Sequence, residues 1–339
     1  MLIKYIMHSL QLLVWFLLGG CIMSIQTSHA ACITQDVLDQ HTLKSLTTIL
    51  RSQKNVSFQT ISPERYGYAK SLFKQLLHET LSPHEIALQK ALPAAFKTLA
   101  TQAGLCWQWL NITYLKQNHT VLLFMEQADT AQGQGAYLFV LKNPLRFVIQ
   151  APHQYFDYAT GQLALQFFFE QNLRAITLNT VHRNQTTQSD LAHQANSLFS
   201  AFTSAYAEIF SEKEANKQKE QALEQKAESY LLQLHGFSNK HRHTEAGGKA
   251  DIILSNGSRS PSLFLRQSQV RMNNTSAFKV YLYGMDIDEL GGSTNSSLAV
   301  LKPLNQQDHF IHIELSADTR KKLKLSRSQR DQLWSSWQP

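Results

Sequence analysis

The rhythm of apolar and polar positions changes along this chain. From Gln35 to about Leu110 the patterns are helical, and Ser82, Pro83 and Glu85 form a helix-start signature in which Ser caps, Pro takes the first position and Glu closes the box. From about Thr120 short apolar runs take over: Val121 to Met125, Tyr137 to Leu141, Phe147 to Gln150, Ala175 to Leu178, Tyr230 to Leu234, Ile252 to Leu254, Lys279 to Tyr283, Leu298 to Leu301 and Phe310 to Ile313. Several are continuous rather than alternating, which suits strands buried on both faces. Helical stretches fall between some of them, at about Thr160 to Gln171 and Ser189 to Phe210, and a last one runs from Ser326 to Trp337. The interleaving predicts an α/β fold, a mixed central sheet flanked by helices over 116–339, with a helical preface over 31–115. Glu212 to Glu228 is charged and Gln-rich with almost no apolar stripe, the pattern of a solvated helical connector.

The first thirty residues follow a different logic. Lys4 is the only charge before Asp36; it precedes an apolar run from Leu10 to Ile25 that ends in Thr27, Ser28, His29 and Ala30. These are the three regions of a secretory signal peptide over 1–30, with the cut expected before Ala31. The run is shorter than the roughly 20 residues of a membrane span, so none is expected in the mature chain. Leu18, Gly19, Gly20 and Cys21 also resemble a lipoprotein box, which would instead anchor the chain through Cys21. The expected location is the periplasm or the exterior. There Cys32 and Cys106 could pair.

An apolar fraction of 43% supports a sizeable core, and the net charge of +7 favours an acidic substrate or surface. No phosphate-cradling Gly-rich loop precedes a helix, no nucleophile elbow occurs and no Cys-rich zinc pattern is present. A nucleic-acid partner is not expected. In open α/β sheets ligands bind beyond the carboxyl ends of strands, so the residues following each apolar run carry the candidate chemistry. Phe147 to Gln150 leads to His153 and Asp157; Ala175 to Leu178 leads to Asn179, His182 and Arg183; Tyr230 to Leu234 leads to His235; and Phe310 to Ile313 leads to Glu314. Two imidazoles and one carboxylate leave a tetrahedral zinc ion one open position, so His153, Asp157 and His235 are the expected ligands of Zn2+. Glu314, a lone carboxylate in an apolar strand, is the expected general base. Each residue has a plainer alternative: Asp157 capping the next helix, Glu314 pairing with Arg320, Arg183 pairing with Asp190.

The order His, short spacer, carboxylate, distant His and a C-terminal Glu strand resembles the zinc carboxypeptidase type of fold. Its relatives include N-formylglutamate amidohydrolases and poly-γ-glutamate hydrolases. His312, Ile313, Glu314, Leu315 and Ser316 followed by Arg320 look like the strand with the catalytic Glu, and Leu234, His235 and Gly236 look like the second zinc histidine. The likeness covers about Phe147 to Trp337. Carboxypeptidases use His-x-x-Glu where this chain spaces His153 and Asp157 one residue further apart, with a shorter acid. The resemblance implies that Arg183 steadies an oxyanion. It implies an exported hydrolase of an amide or peptide bond acting on a peptide, γ-glutamyl or cell-wall-derived small substrate, N-acetylmuramoyl-L-alanine amidase being one form. The alternative is a secreted binding protein that keeps the fold without metal chemistry. Asn295, in the Gly291 to Asn295 loop, and Arg242, in the Lys240 to His243 loop, are expected to contact substrate.

Overall fold

The apolar runs become the strands of a single mixed sheet in a computed structural model that describes residues 35–78, 92–140, 144–217 and 229–337. The signal peptide, Cys21, Cys32, the helix start at Ser82 and most of the Glu212 to Glu228 connector lie outside the described residues. The strands are β1 (Gln35–Thr42), β2 (Cys106–Tyr114), β3 (Gln117–Met125), β4 (Ala136–Val140), β5 (Leu145–Ala151), β6 (Leu173–Leu178), β7 (Leu231–Phe237), β8 (Ile252–Ser255), β9 (Val280–Leu282) and β10 (Phe310–Ser316). They run in the order β1-β2-β3-β4-β6-β5-β7-β10-β8-β9.

Helices cover both faces, which is why so many strands are apolar on both sides. One face carries α1 (Leu43–Arg51), α4 (Thr160–Glu170), α7 (Leu263–Thr275), α9 (Ala317–Leu325) and α10 (Arg327–Ser335). The other carries α2 (Pro63–His78), α3 (Ala94–Gln102), α5 (Leu198–Lys217) and α8 (Ser296–Leu301). A short helix, α6 (Glu245–Lys249), lies in the loop after β7. Alternation along each strand sorts side chains between the faces: Leu232, Leu234, Ile311 and Ile313 join the first core, while Leu231 and Phe310 join the second. Among the described residues no helix is long and apolar enough to cross a membrane.

Three expectations are corrected. The preface contains α1, α2 and α3 but is not wholly helical, because β1 pairs in parallel with β2 and β2 pairs with β3. The expected boundary at 115/116 falls in the turn of the β2–β3 hairpin, where Leu115 and Lys116 both have positive φ. The region is therefore integral to the sheet, and Phe73 of α2 packs on Tyr137 of β4 with ring centroids 4.6 Å apart. Leu298 to Leu301 is helical, because the Asn295 side chain caps α8 by accepting from the Ser297 amide. The helix expected from Ser189 starts at Leu198 instead, since residues 189–197 form hydrogen-bonded turns. Cys106 is disulfide-bonded, and its partner lies outside the described residues.

Candidate metal centre

Four neighbouring strands, β6, β5, β7 and β10, run parallel and end on the same side of the sheet. The chain passes from β5 to β6 on one side and then crosses to β7 on the other, so the strand order reverses between β5 and β7. That reversal opens the crevice in which ligands of α/β sheets bind. His153 follows β5, Arg183 follows β6, His235 lies near the end of β7 and Glu314 near the end of β10.

The expected ligands meet there. His153, Asp157 and His235 are all buried and form one group able to hold a metal ion. His153 Nδ1 stands 3.1 Å from His235 Nδ1. Asp157 Oδ2 stands 3.4 Å from His153 Nδ1 and 3.9 Å from His235 Nδ1. The longer spacing between His153 and Asp157 is accommodated by one turn of chain, closed by the Asp157 amide donating 2.7 Å to the His153 carbonyl. Asp157 does not cap α4; Ala159 occupies that position, and the carboxylate instead accepts from the Gly236 amide at 3.0 Å.

Each histidine is held through its other nitrogen. His153 Nε2 lies 2.8 Å from Asp190 Oδ1, and His235 Nε2 lies 2.8 Å from Gln233 Oε1. Second partners of this kind orient metal-ligating imidazoles. Burial alone would depress His153, but Asp157 and Asp190 outweigh it and raise its pKa. His235 is driven well below the ordinary value by burial, then by His312 and His153. Neighbouring carboxylates thus oppose burial at His153, whereas at His235 burial and two neighbouring imidazoles act in the same direction.

Arg183 stands at this site: NH1 is 3.0 Å from His153 Nδ1, and NH2 donates to Asp190 Oδ2. The ion pair with Asp190 thus forms, and it places the guanidinium beside the ligands. Its charge also lies over the Phe156 ring, 5.3 Å from the centroid, and that ring is 52% exposed. Asp190 itself is no helix cap; its carboxylate binds His153, Arg183 and His193.

Glu314 is 7% exposed, and its Oε2 has no hydrogen-bond partner. Burial, reinforced by Asp157, pushes its carboxyl up to about 8. It does not pair with Arg320, whose NH1 donates to the carbonyls of Leu315 and Phe237. His312 joins it, with Nε2 3.9 Å from Glu314 Oε1 and its ring centroid 4.4 Å from that of His235. His235, His312 and Glu314 form a second group that could hold a metal ion. His312 is buried with Nδ1 unpartnered, and burial holds it down to about 3. Its signal in the sequence was a polar residue two positions before Glu314, on the same face of the strand.

The two residues expected to contact substrate are engaged within the protein. Asn295 is 4% exposed; its oxygen caps α8 and its amide donates to Gln233 Oε1. Arg242 pairs with Glu289 at 3.4 Å and stacks near Phe237, which fastens its loop. No family model and no curated protein matches the chain.

Proposed function

We propose that the protein is an exported zinc-dependent hydrolase that cleaves an amide or peptide bond. The observation that carries this reading is the triangle of His153 Nδ1, His235 Nδ1 and Asp157 Oδ2, with edges of 3.1, 3.4 and 3.9 Å. Ligands about 2.0–2.1 Å from a tetrahedral ion stand about 3.3 Å apart, so the three atoms suit such an ion. Two imidazoles and one carboxylate suit zinc and leave a position open. Zinc there supplies a Lewis acid that polarises a carbonyl oxygen.

The chain's own residues supply the remaining chemistry. Glu314, with one oxygen unpartnered, takes a proton from attacking water and returns it to the leaving amine. Arg183, steered by Asp190, steadies the developing oxyanion. Phe156 and Arg183 form an exposed rim suited to peptide, γ-glutamyl or cell-wall-derived substrates.

Metal analysis of the purified mature protein tests the reading, together with hydrolysis of peptides, γ-glutamyl peptides and muropeptides. Near-stoichiometric zinc and zinc-dependent turnover are expected, both lost when His153 and His235 are replaced by Ala. Retention of metal by that double variant would show that other residues bind it.

A further inference from the structure

One rung below the candidate ligands, the sheet carries a row of polar side chains where its strands are otherwise apolar. Thr177 of β6 is level with Gln150 of β5, Gln150 with Gln233 of β7, Gln233 with His312 of β10, and His312 with Ser255 of β8. All are buried. Buried amides are retained at a cost unless each donor and acceptor is matched, so the direction of every hydrogen bond in the row carries meaning.

That direction can be fixed from one end. The Ser297 main-chain N–H, which can only donate, gives its hydrogen to Asn295 Oδ1 at 3.0 Å. Asn295 Oδ1 is thereby the oxygen, and its Nδ2 must donate onward to Gln233, which presents Oε1. With Oε1 so assigned, Gln233 Nε2 donates to Gln150 Oε1 at 2.9 Å. Gln150 Nε2 then donates to Thr203 Oγ1 at 3.3 Å, and no amide in the chain has to be reversed. His235 Nε2, 2.8 Å from Gln233 Oε1, faces an atom that can only accept. Its proton must therefore sit on Nε2. Nδ1 is left as a lone pair aimed at His153 and Asp157.

We infer that Gln233, held in one orientation by Asn295, is a positioning residue that fixes the tautomer of His235 and so prepares its Nδ1 for a metal ion. The inference rests on the metal reading for its purpose but not for its geometry. A neutral amide performs here the orienting role that the Asp190 carboxylate performs for His153. One ligand is consequently supported by an anion and the other by a dipole. His235 gains direction without the added negative charge that would compete for its proton.

The test reads the tautomer directly. Imidazole nitrogen NMR of metal-free wild-type protein, with the His235 signals assigned against a His235→Gln variant, should show the proton on Nε2. Gln233→Met keeps the length and removes the amide; it should shift His235 towards the other tautomer and weaken zinc binding about ten- to hundredfold. Gln233→Glu restores an acceptor and should hold zinc within about threefold of wild type. A wild-type proton on Nδ1, or zinc held as tightly by Gln233→Met as by wild type, overturns the inference. A wild type with the Nε2 proton, lost in Gln233→Met, but with no affinity for zinc would support the positioning role while refuting the metal reading.

Discussion

Replacing Glu314 by Gln keeps the shape of the side chain and removes its ability to ionise. Wild-type Glu314 is buried beside Asp157, and its carboxyl is pushed from the ordinary value of 4.5 up to about 8. Between those values the unfolded chain releases a proton that the folded chain retains. Stability contributed by this group is thus fully present below pH 4.5 and lost as pH rises through about 8. One proton corresponds to about 1.4 kcal/mol per pH unit, so across the window the metal-free protein forfeits on the order of 5 kcal/mol from this site alone. The amide variant forfeits none of it. Urea unfolding of chelator-treated wild type and Glu314→Gln, compared from about pH 5 to about pH 8, should show the variant gaining on wild type as pH rises. Taking the difference between two proteins removes the titration of groups they share, His153 among them. Difference curves that stay flat across the window would refute the burial argument. Activity gives a second reading of the same variant: it should bind zinc, yet hydrolyse substrate at least about a hundredfold more slowly. Undiminished turnover would leave the β10 carboxylate no part in the chemistry.

Arg183→Ala should retain zinc, because none of the three candidate ligands is removed, while turnover falls about a hundredfold or more through loss of oxyanion stabilisation; loss of the metal instead would make the guanidinium a structural clamp on Asp190 and His153. Cleavage as a signal peptide would leave a chain that begins at Ala31, as N-terminal sequencing can read, whereas a blocked and lipidated Cys21 would make it a membrane-anchored protein.

The strands β3, β5, β6, β8 and β10 were legible because a sheet covered on both faces favours largely apolar runs, and each supplies one. Where the pattern misled, a tertiary partner had overridden it. Leu298 to Leu301 is apolar enough for a strand, but the run follows an Asn cap and buries Leu298 and Leu301 in the core shared with α5. β1 escaped detection because its residues, Gln35 to Thr42, alternate weakly and its pairing with β2 joins segments far apart in sequence. The start of α5 was hidden by Ser189 to Ser197, where the side chains of Asp190, Gln194 and Ser197 hydrogen-bond the nearby backbone and close turns in place of a helix.

His153, Asp157, His235 and Glu314 could be found because each is a chemically reactive group stranded at the end of an apolar run. Asn295 and Gln233 could not be distinguished in that way, since an amide in a sequence looks the same whether it meets substrate or another side chain. What separates them is register: the pairing of β7 with β5 and β10 brings Gln233 level with Gln150 and His312, and the cap on α8 then gives the amides their direction. On β7 and β10 alike a polar residue precedes the reactive one by two positions. A ligand near the end of a strand can draw its second partner from the residue two positions earlier, because period-two alternation puts the two on the same face. In His312-Ile313-Glu314 and Gln233-Leu234-His235 the outer residues face the α5 and α8 side while the middle residue packs into the opposite core. On β7 this short pattern joins a candidate ligand, its hydrogen-bond partner and an apolar anchor, whereas on β10 it sets two members of the second candidate metal group on either side of such an anchor.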